Sequence, residues 1–179
     1  MQEAIAYAKH KNLKLAAAEL GLTWHTLYSR LRKAGVPVTG DKARYGTSRD
    51  RLAVLAEQEF HRLVPEAEAM NEQQFQAKFD FLIHGHKVDV KASLPRRLNK
   101  RFDAKSWAFS FKKQTLVCDY ICCFCMGEDK QVERVLLVPS EFFAGIQTVS
   151  VSYAGKSKWH DYDIKPEDLA DFFTSMKGV

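Results

Sequence analysis

Two carboxylates and a lysine stand close together in one short stretch of this chain. Asp80 comes first, and Asp89 and Lys91 follow, two positions apart. Because side chains alternate along a strand, Asp89 and Lys91 would leave the same face of one. Carboxylate oxygens hold hard divalent cations, and a lysine beside them can orient an attacking water or stabilise developing charge. This set of residue types is typical of metal-assisted phosphodiester hydrolysis.

The residues around this set predict a β-hairpin. Apolar side chains alternate with other residues over positions 79–83 and again over 88–90, and His84-Gly85 between them supplies the turn. The hairpin would place the first carboxylate on one strand, and the second carboxylate with the lysine on the next.

In order and type, Asp80, Asp89 and Lys91 resemble the motif of the PD-(D/E)XK nuclease family, which includes restriction enzymes, junction resolvases and some homing endonucleases. Phe79 stands where the family has proline. The resemblance implies an α/β (α+β) fold of the restriction-endonuclease type, a mixed β-sheet flanked by helices. It also implies Mg²⁺, or Mn²⁺ in its place, bound by Asp80 and Asp89, a water oriented by Lys91, and 5′-phosphate and 3′-hydroxyl products.

The family usually carries a further acidic residue on the helix that precedes the hairpin. Residues 49–64 predict such a helix, with Ser48 as its N-cap. Its predicted apolar stripe consists of Leu52, Leu55, Ala56, Phe60 and Leu63. Glu59 projects within this stripe, where a carboxylate is costly unless it is paired or bound to metal. Glu59 is therefore the expected helix carboxylate and metal ligand, and Glu57, at the other edge of the stripe, is the alternative.

Basic residues follow the proposed catalytic lysine. Between positions 92 and 113 seven Lys or Arg residues face one acid, Asp103. Such a stretch neutralises phosphates, although a solvated loop is the alternative reading. The candidate DNA contacts here are Arg96, Arg97, Lys100 and Arg101. Lys156 and Lys158, in a loop that also carries Trp159, are further candidates with the same alternative.

The N-terminal region predicts three short helices over 3–11, 13–20 and 24–33, with Ile5 and Ala8 facing inward. The turn before the third helix resembles that of a helix-turn-helix unit, in which the last helix enters the major groove of DNA. An ordinary helical cap on the next domain is the alternative. The candidate DNA contacts on the third helix are Trp24, His25, Thr26, Tyr28, Ser29, Arg30, Arg32 and Lys33.

The chain would thus divide into a helix-turn-helix unit over 1–40, a linker to about 46 that carries Arg44, and a nuclease core over 47–179. The formal net charge of +5 suits a polyanionic partner. No apolar run is long enough to span a membrane, and no secretory signal is apparent, so a cytoplasmic protein is expected.

Four cysteines fall within positions 117–126, which predict one buried strand. Alternation would send Cys118 and Cys122 to one face, and Cys123 and Cys125 to the other. This spacing is unlike that of zinc sites, so we expect buried thiols in a reducing compartment and no zinc. Asp119, inside the same run, would pair with a basic residue or lie beside the active site.

The sequence therefore predicts a Mg²⁺-dependent endonuclease acting on double-stranded DNA, of the site-specific homing or phage type. A restriction enzyme or a Holliday junction resolvase of the same fold stays open, as does a non-catalytic helix-turn-helix regulator. A small nuclease has one active site per chain. Cutting both strands at one place would therefore require a homodimer or a larger symmetric oligomer.

Overall fold

A computed structural model describes residues 2–40, 42–73, 77–97, 104–111 and 117–178. The chain forms two compact units. Met1–Arg51 and Ala69–Ala77 form the first, here called the helical unit, and Leu52–Glu68 and Lys78–Val179 form the second, the sheet unit. None of the described helices is both long and apolar enough to cross a membrane.

The helical unit begins with three short helices, α1 (Gln2–His10), α2 (Leu13–Glu19) and α3 (Trp24–Lys33). Side-chain caps start the second and third, because the first N–H groups of a helix have no partner within it. Asn12 Oδ1 accepts hydrogen bonds from the backbone N–H groups two and three residues on, and Thr23 Oγ1 accepts one from the third residue on. The three predicted helices are confirmed, the third with its predicted bounds.

The core of the helical unit consists of Ala6, Tyr7, Ala16, Ala17, Leu27 and Leu31. The prediction that Ile5 and Ala8 face inward is wrong, since both are exposed. The ring of Tyr7 fills the small core instead, and its hydroxyl accepts a hydrogen bond from the backbone N–H of Gly40 at 2.9 Å. The buried face of α1 is therefore formed by Ala6 and Tyr7.

Two further helices, a short strand and one more helical turn precede the predicted hairpin: α4 (Lys42–Tyr45), α5 (Ser48–Leu63), β1 (Glu68–Ala69) and α6 (Met70–Gln73). In α5, Leu52, Ala56 and Phe60 are buried at a spacing of four, as expected for one helix face. The assignment of Leu55 to the buried stripe is wrong, because 41% of this residue is exposed.

From the predicted hairpin onward, the sheet unit contains β2 (Phe81–Ile83), β3 (His86–Ser93), β4 (Arg96–Arg97), β5 (Lys105–Ser110), β6 (Tyr120–Met126), β7 (Val132–Pro139), β8 (Thr148–Ser152), β9 (Asp163–Ile164) and α7 (Leu169–Ser175). Six strands form one sheet in the order β1-β2-β3-β6-β7-β9, and three form a second in the order β4-β5-β8. The larger sheet is mixed, since β3 and β6 run parallel and the other described pairs run antiparallel. A mixed sheet with flanking helices confirms the predicted class.

The larger sheet is covered on both faces. On one face, the Phe60 ring of α5 lies 4.8 Å from that of Phe81 and 6.2 Å from that of Phe173 in α7. On the other face the smaller sheet packs against it, with Trp107 and Phe109 of β5 in the shared core. The indole N–H of Trp107 donates to the Met126 carbonyl at 2.8 Å, which ties the two sheets together.

Candidate active site

The predicted hairpin is present as strands β2 and β3. They pair antiparallel, with Phe81 opposite Val88, and are joined by the two residues His84 and Gly85. Both turn residues have positive φ, 47° for His84 and 89° for Gly85. A two-residue type I′ hairpin turn requires positive φ at both positions. Glycine adopts this conformation freely, and histidine tolerates it better than bulky or β-branched residues do. The local sequence thus fixes the register that positions the carboxylates.

The two faces of this hairpin have different surroundings. Directly opposed residues share a face, so Phe81 and Val88 lie on the face covered by α5. Asp89 and Lys91 alternate to the other face, where the parallel register with β6 places them opposite Ile121 and Cys123. They therefore border the core between the two sheets.

Asp80, Asp89 and Lys91, the three predicted residues, lie close together beside this core. Lys91 Nζ forms an ion pair with Asp89 Oδ2. Only 1% of the Asp89 side chain and 20% of the Lys91 side chain are exposed. Asp80 is held at the start of the hairpin, because its Oδ2 accepts the backbone N–H of Val90 at 2.7 Å and its own N–H donates to the Val88 carbonyl at 3.0 Å.

The electrostatics of this cluster raise the pKa values of both Asp89 and Lys91. Burial raises the pKa of Asp89 to about 7, and the neighbouring carboxyl of Asp80 acts in the same direction, whereas Lys91 opposes the rise. Burial by itself would lower the pKa of Lys91, but the two carboxylates outweigh it and hold that pKa above its usual value. Lys91 therefore stays cationic at neutral pH, and Asp89 changes its charge there.

The donor set fits a hard cation. Carboxylate oxygens are preferred by Mg²⁺, and Asp89 Oδ1 is buried without a hydrogen-bond partner among the described residues. Within the described part of the chain no group of three or more His, Cys, Asp or Glu could hold a metal ion. Asp80 and Asp89 would thus supply the protein ligands, and Mg²⁺ commonly keeps several waters in such sites.

The structure does not bring the helix carboxylates to this pair. Arg62 Nε and Nη2 donate to the two carboxylate oxygens of Glu59 at 2.8 and 2.7 Å, and these hydrogen bonds lower the pKa of Glu59. The helix that carries Glu59 and Glu57 covers the opposite face of the hairpin from Asp89. Their assignment as metal ligand stays a prediction.

The cysteines lie partly as expected. All four are buried and form no disulfide. The assignment of Cys118 to the face of Cys122 is wrong, because β6 begins only at Tyr120 and Cys118 instead shares the core between the sheets with Cys123 and Cys125. Burial raises the pKa of the Cys118 thiol to about 12, so the thiolate needed for metal binding is disfavoured.

Asp119 has a structural role that the sequence did not indicate. Its Oδ2 accepts the backbone N–H of Lys87 at 2.8 Å, and its own N–H donates to the Lys87 carbonyl at 2.8 Å. This exchange extends the pairing of β3 with β6 beyond the end of the strand. A side chain that hydrogen-bonds the backbone of a neighbouring strand has no characteristic sequence pattern. This role of Asp119 could therefore not be predicted from the sequence.

The predicted DNA contacts on α3 are mostly exposed. Thr26 and Tyr28 are half-buried, and the others present their side chains to solvent: Trp24, His25, Ser29, Arg30, Arg32 and Lys33. Two of the arginines already have partners. Arg30 Nη1 pairs with Glu3 Oε1 at 3.1 Å, and Arg32 Nη1 donates to the Tyr28 hydroxyl at 3.1 Å. A phosphate or base would have to replace these contacts.

Of the other predicted DNA contacts, the described ones are exposed: Arg44, Arg96, Arg97, Lys156 and Lys158. Arg96 and Arg97 form β4, five and six residues after the catalytic candidate Lys91. The ammonium of Lys158 lies 4.7 Å from the centre of the Trp159 ring. Lys100 and Arg101 lie outside the described residues.

Compared with models of known protein families, this chain matches none, and it matches no curated protein. The candidate site is a buried carboxylate in contact with a lysine and beside a second carboxylate, all on one hairpin.

Proposed function

We propose that this chain is a Mg²⁺-dependent DNA endonuclease with a restriction-endonuclease-like core. One observation carries the proposal: Asp89, buried and in contact with Lys91, lies beside Asp80 on the same hairpin. Buried charges of this kind are weak stabilisers, and clusters with strongly shifted pKa values concentrate at functional sites. The order and types of Asp80, Asp89 and Lys91 also resemble the PD-(D/E)XK motif, in which proline stands at the position of Phe79.

Each residue has a distinct role in phosphodiester hydrolysis. Asp80 is fixed by the backbone N–H of Val90, so its carboxylate is preorganised as a ligand. Asp89 supplies the second carboxylate from a nearly dry environment, where its negative charge attracts a cation strongly. Lys91, cationic at neutral pH, hydrogen-bonds the attacking water or the phosphoryl oxygen that gains charge. Mg²⁺ held by Asp80 and Asp89 would supply Lewis-acid activation of the phosphate and of water.

The surroundings of the site support DNA as the substrate. The exposed Arg96 and Arg97 follow the catalytic strand directly, and arginine pairs well with phosphate oxygens. The helical unit, with its capped and largely exposed α3, would read double-stranded DNA as a helix-turn-helix unit does. Cleavage of both strands would use two or more copies of the chain.

A plasmid-nicking assay with Mg²⁺ or Mn²⁺, and with EDTA as the metal-free condition, tests the proposal. Asp89→Asn should lower the cleavage rate at least about 100-fold, because it removes a ligand charge at almost constant volume. Asp163→Asn is the matched control, since Asp163 forms an ion pair with Arg134 elsewhere on the same sheet. Circular dichroism would verify folding. Cleavage by Asp89→Asn at the wild-type rate would refute the assignment.

A non-catalytic DNA-binding regulator is the second candidate. The ion pair between Asp89 and Lys91 neutralises the buried carboxylate without a metal, and this observation favours it. The same assay separates the two functions. A regulator would bind DNA and leave the plasmid intact in Mg²⁺, in Mn²⁺ and in EDTA alike.

A further inference from the structure

The helical unit contains a pocket of about 520 Å³, and of its lining residues only Trp24 is among the predicted DNA contacts. It lies where α1 ends and where α2 and α3 begin, and the segment from Val38 to Gly40 forms another wall. Its volume falls within the range of about 300–1,000 Å³ typical of small-ligand sites. The lining residues that matter for its chemistry are Tyr7, Lys11, Asn12, Lys14, Trp24 and Tyr45.

The pocket presents aromatic surface to solvent. Trp24, the first residue of α3, is 41% exposed, and Tyr45 of α4 is 65% exposed. The other two tryptophans of the chain, Trp107 and Trp159, are buried in the core of the sheet unit. Both rings line the pocket, and the Trp24 ring already packs on the ring of His25, with 3.5 Å between the ring centres. A planar ligand ring would therefore stack on the other face of Trp24 or on Tyr45.

The charged residues that line the pocket favour an anionic ligand. Lys11 and Lys14 line it, and neither forms an ion pair with a described residue. Lys9, two residues before Lys11, is paired instead with Glu19 at 2.8 Å. No acidic side chain occurs among the described residues that line the pocket. Two lysines with no acidic partner among the described residues, in a pocket with aromatic lining, complement a phosphate attached to a planar ring.

The walls of the pocket are held in place before any ligand binds. The Tyr7 hydroxyl accepts the backbone N–H of Gly40, which fixes the segment opposite the helices. Asn12 uses its carbonyl oxygen to cap α2, so its amide NH₂ remains as a donor for a ligand. Lys11 ends α1 in the left-handed conformation, with φ of 47°. A preformed site of this kind loses little conformational entropy on binding.

We propose that this pocket holds an unpaired nucleotide of a DNA strand, with its base on Trp24 and Tyr45 and its phosphates on Lys11 and Lys14. The inference rests on the proposed function in taking DNA as the substrate. Bases paired within a duplex keep their flat faces stacked on one another, so only an extruded or unpaired base can enter. The chain would therefore select DNA with a local interruption of pairing, or stabilise one at its target.

Binding titrations with two labelled duplexes test this inference. One duplex carries a single unpaired nucleotide, and the other has the same sequence fully paired, with EDTA present so that both strands stay intact. The wild-type chain should bind the interrupted duplex at least about tenfold more tightly, since one base–aromatic stack is worth that much. Trp24→Leu and Tyr45→Ala should reduce this preference, whereas Trp24→Phe should retain most of it.

Matched controls separate the pocket from general DNA affinity. Lys33→Ala removes a charge from α3 outside the pocket, and should weaken binding to both duplexes by a similar factor. Lys11→Ala should weaken binding to the interrupted duplex more. Equal affinity of the wild-type chain for the two duplexes, or an unchanged preference in Trp24→Leu, would overturn the inference. A change of oligomeric state in Trp24→Leu with an unchanged preference would assign the pocket to a second copy and overturn it too.

Plasmid cleavage measured in parallel keeps this inference apart from the proposed function. A chain that cleaves DNA without preferring the interrupted duplex refutes the pocket assignment and leaves the nuclease. A chain that prefers the interrupted duplex without cleaving supports the pocket and refutes the nuclease.

Discussion

The six-stranded sheet carries two ion pairs of the same chemistry in different environments. Between β7 and β9, the side chains of Arg134 and Asp163 are 33% and 30% exposed, and water can solvate both charges. On β3, Asp89 is almost completely buried against Lys91, with Asp80 as a second acid beside it. The sheet can evidently hold a carboxylate against a cation without burying it. Burial of Asp89 is thus unnecessary for forming an ion pair. This burial raises the pKa of the Asp89 carboxyl, whereas an ion pair with a purely structural role would keep the carboxyl ionised.

The largest expected difference between the two pairs is in the pH dependence of stability. The pKa of Asp89 is about 7 in the folded chain against an ordinary 3.8, so its contribution is fully present below about pH 4. As the pH rises from about 4 to 7, the unfolded chain releases this proton and the folded chain retains it, so the free energy of unfolding falls. The full effect is on the order of 4 kcal/mol.

Urea unfolding of the wild type and Asp89→Asn at pH 5 and pH 8, in EDTA, measures this effect. Asp89→Asn should lose less stability between the two pH values than the wild type does, because asparagine does not titrate. Asp163→Asn serves as the control and should follow the wild type. Parallel pH profiles for the wild type and Asp89→Asn would show that Asp89 is ionised throughout.

The second expected difference between the two ion pairs is the effect of removing the basic side chain. Lys91→Met should destabilise the chain by about 3 kcal/mol at pH 8, because it leaves a buried carboxylate unpaired. Arg134→Met should cost less than about 1 kcal/mol, since water replaces the lost partner. Chemical denaturation of both variants checks the ranking. The penalty for Lys91→Met should shrink at pH 5, where Asp89 is protonated, and a penalty independent of pH would contradict the electrostatic explanation.

A third ion pair joins Glu59 and Arg62 on α5. Of the substitutions compared here, loss of the Glu59 charge should have the smallest effect. The Arg62 side chain is 67% exposed, so Glu59→Gln should change the free energy of unfolding by less than about 1 kcal/mol. Its cleavage rate should fall less than about tenfold, well short of the loss in Asp89→Asn. Glu57→Gln is the companion variant. A loss in either one equal to that of Asp89→Asn would show that a helix carboxylate joins the pair when DNA and metal are bound.

The hairpin and the helical unit could be predicted because their signals are local. Two residues suited to positive φ, flanked by alternating apolar residues, specify both the turn and the register of β2 and β3. Likewise, Thr23 marks the start of α3 because a threonine before an amphipathic run caps it. Once the register was known, the proximity of Asp89 to Lys91 followed from alternation alone.

The remaining errors arise where tertiary packing decides. Leu55 fits the apolar stripe of α5 by periodicity, yet the contacts of Phe60 with Phe81 and Phe173 rotate the helix so that Leu55 is exposed. Alternation places Cys118 on the face of Cys122 only if the strand includes Cys118, and β6 begins at Tyr120. Neither the packing partners of a helix nor the first paired residue of a strand is encoded within its own segment.

The parallel pairing of β3 with β6 has a consequence for the order of folding. The hairpin that brings Asp80 to Asp89 closes through a two-residue turn, and such hairpins form in about 1–10 μs. The partner strand that completes the site is far away in sequence, since Val88 pairs with Tyr120 and two strands of the smaller sheet, β4 and β5, intervene. Long-range parallel pairing is slow, because a large loop must close before any contact forms. The acidic residues would therefore meet early, while still hydrated, and lose their water only when the last strand docks, so their mutual repulsion opposes a late step of folding rather than the first one.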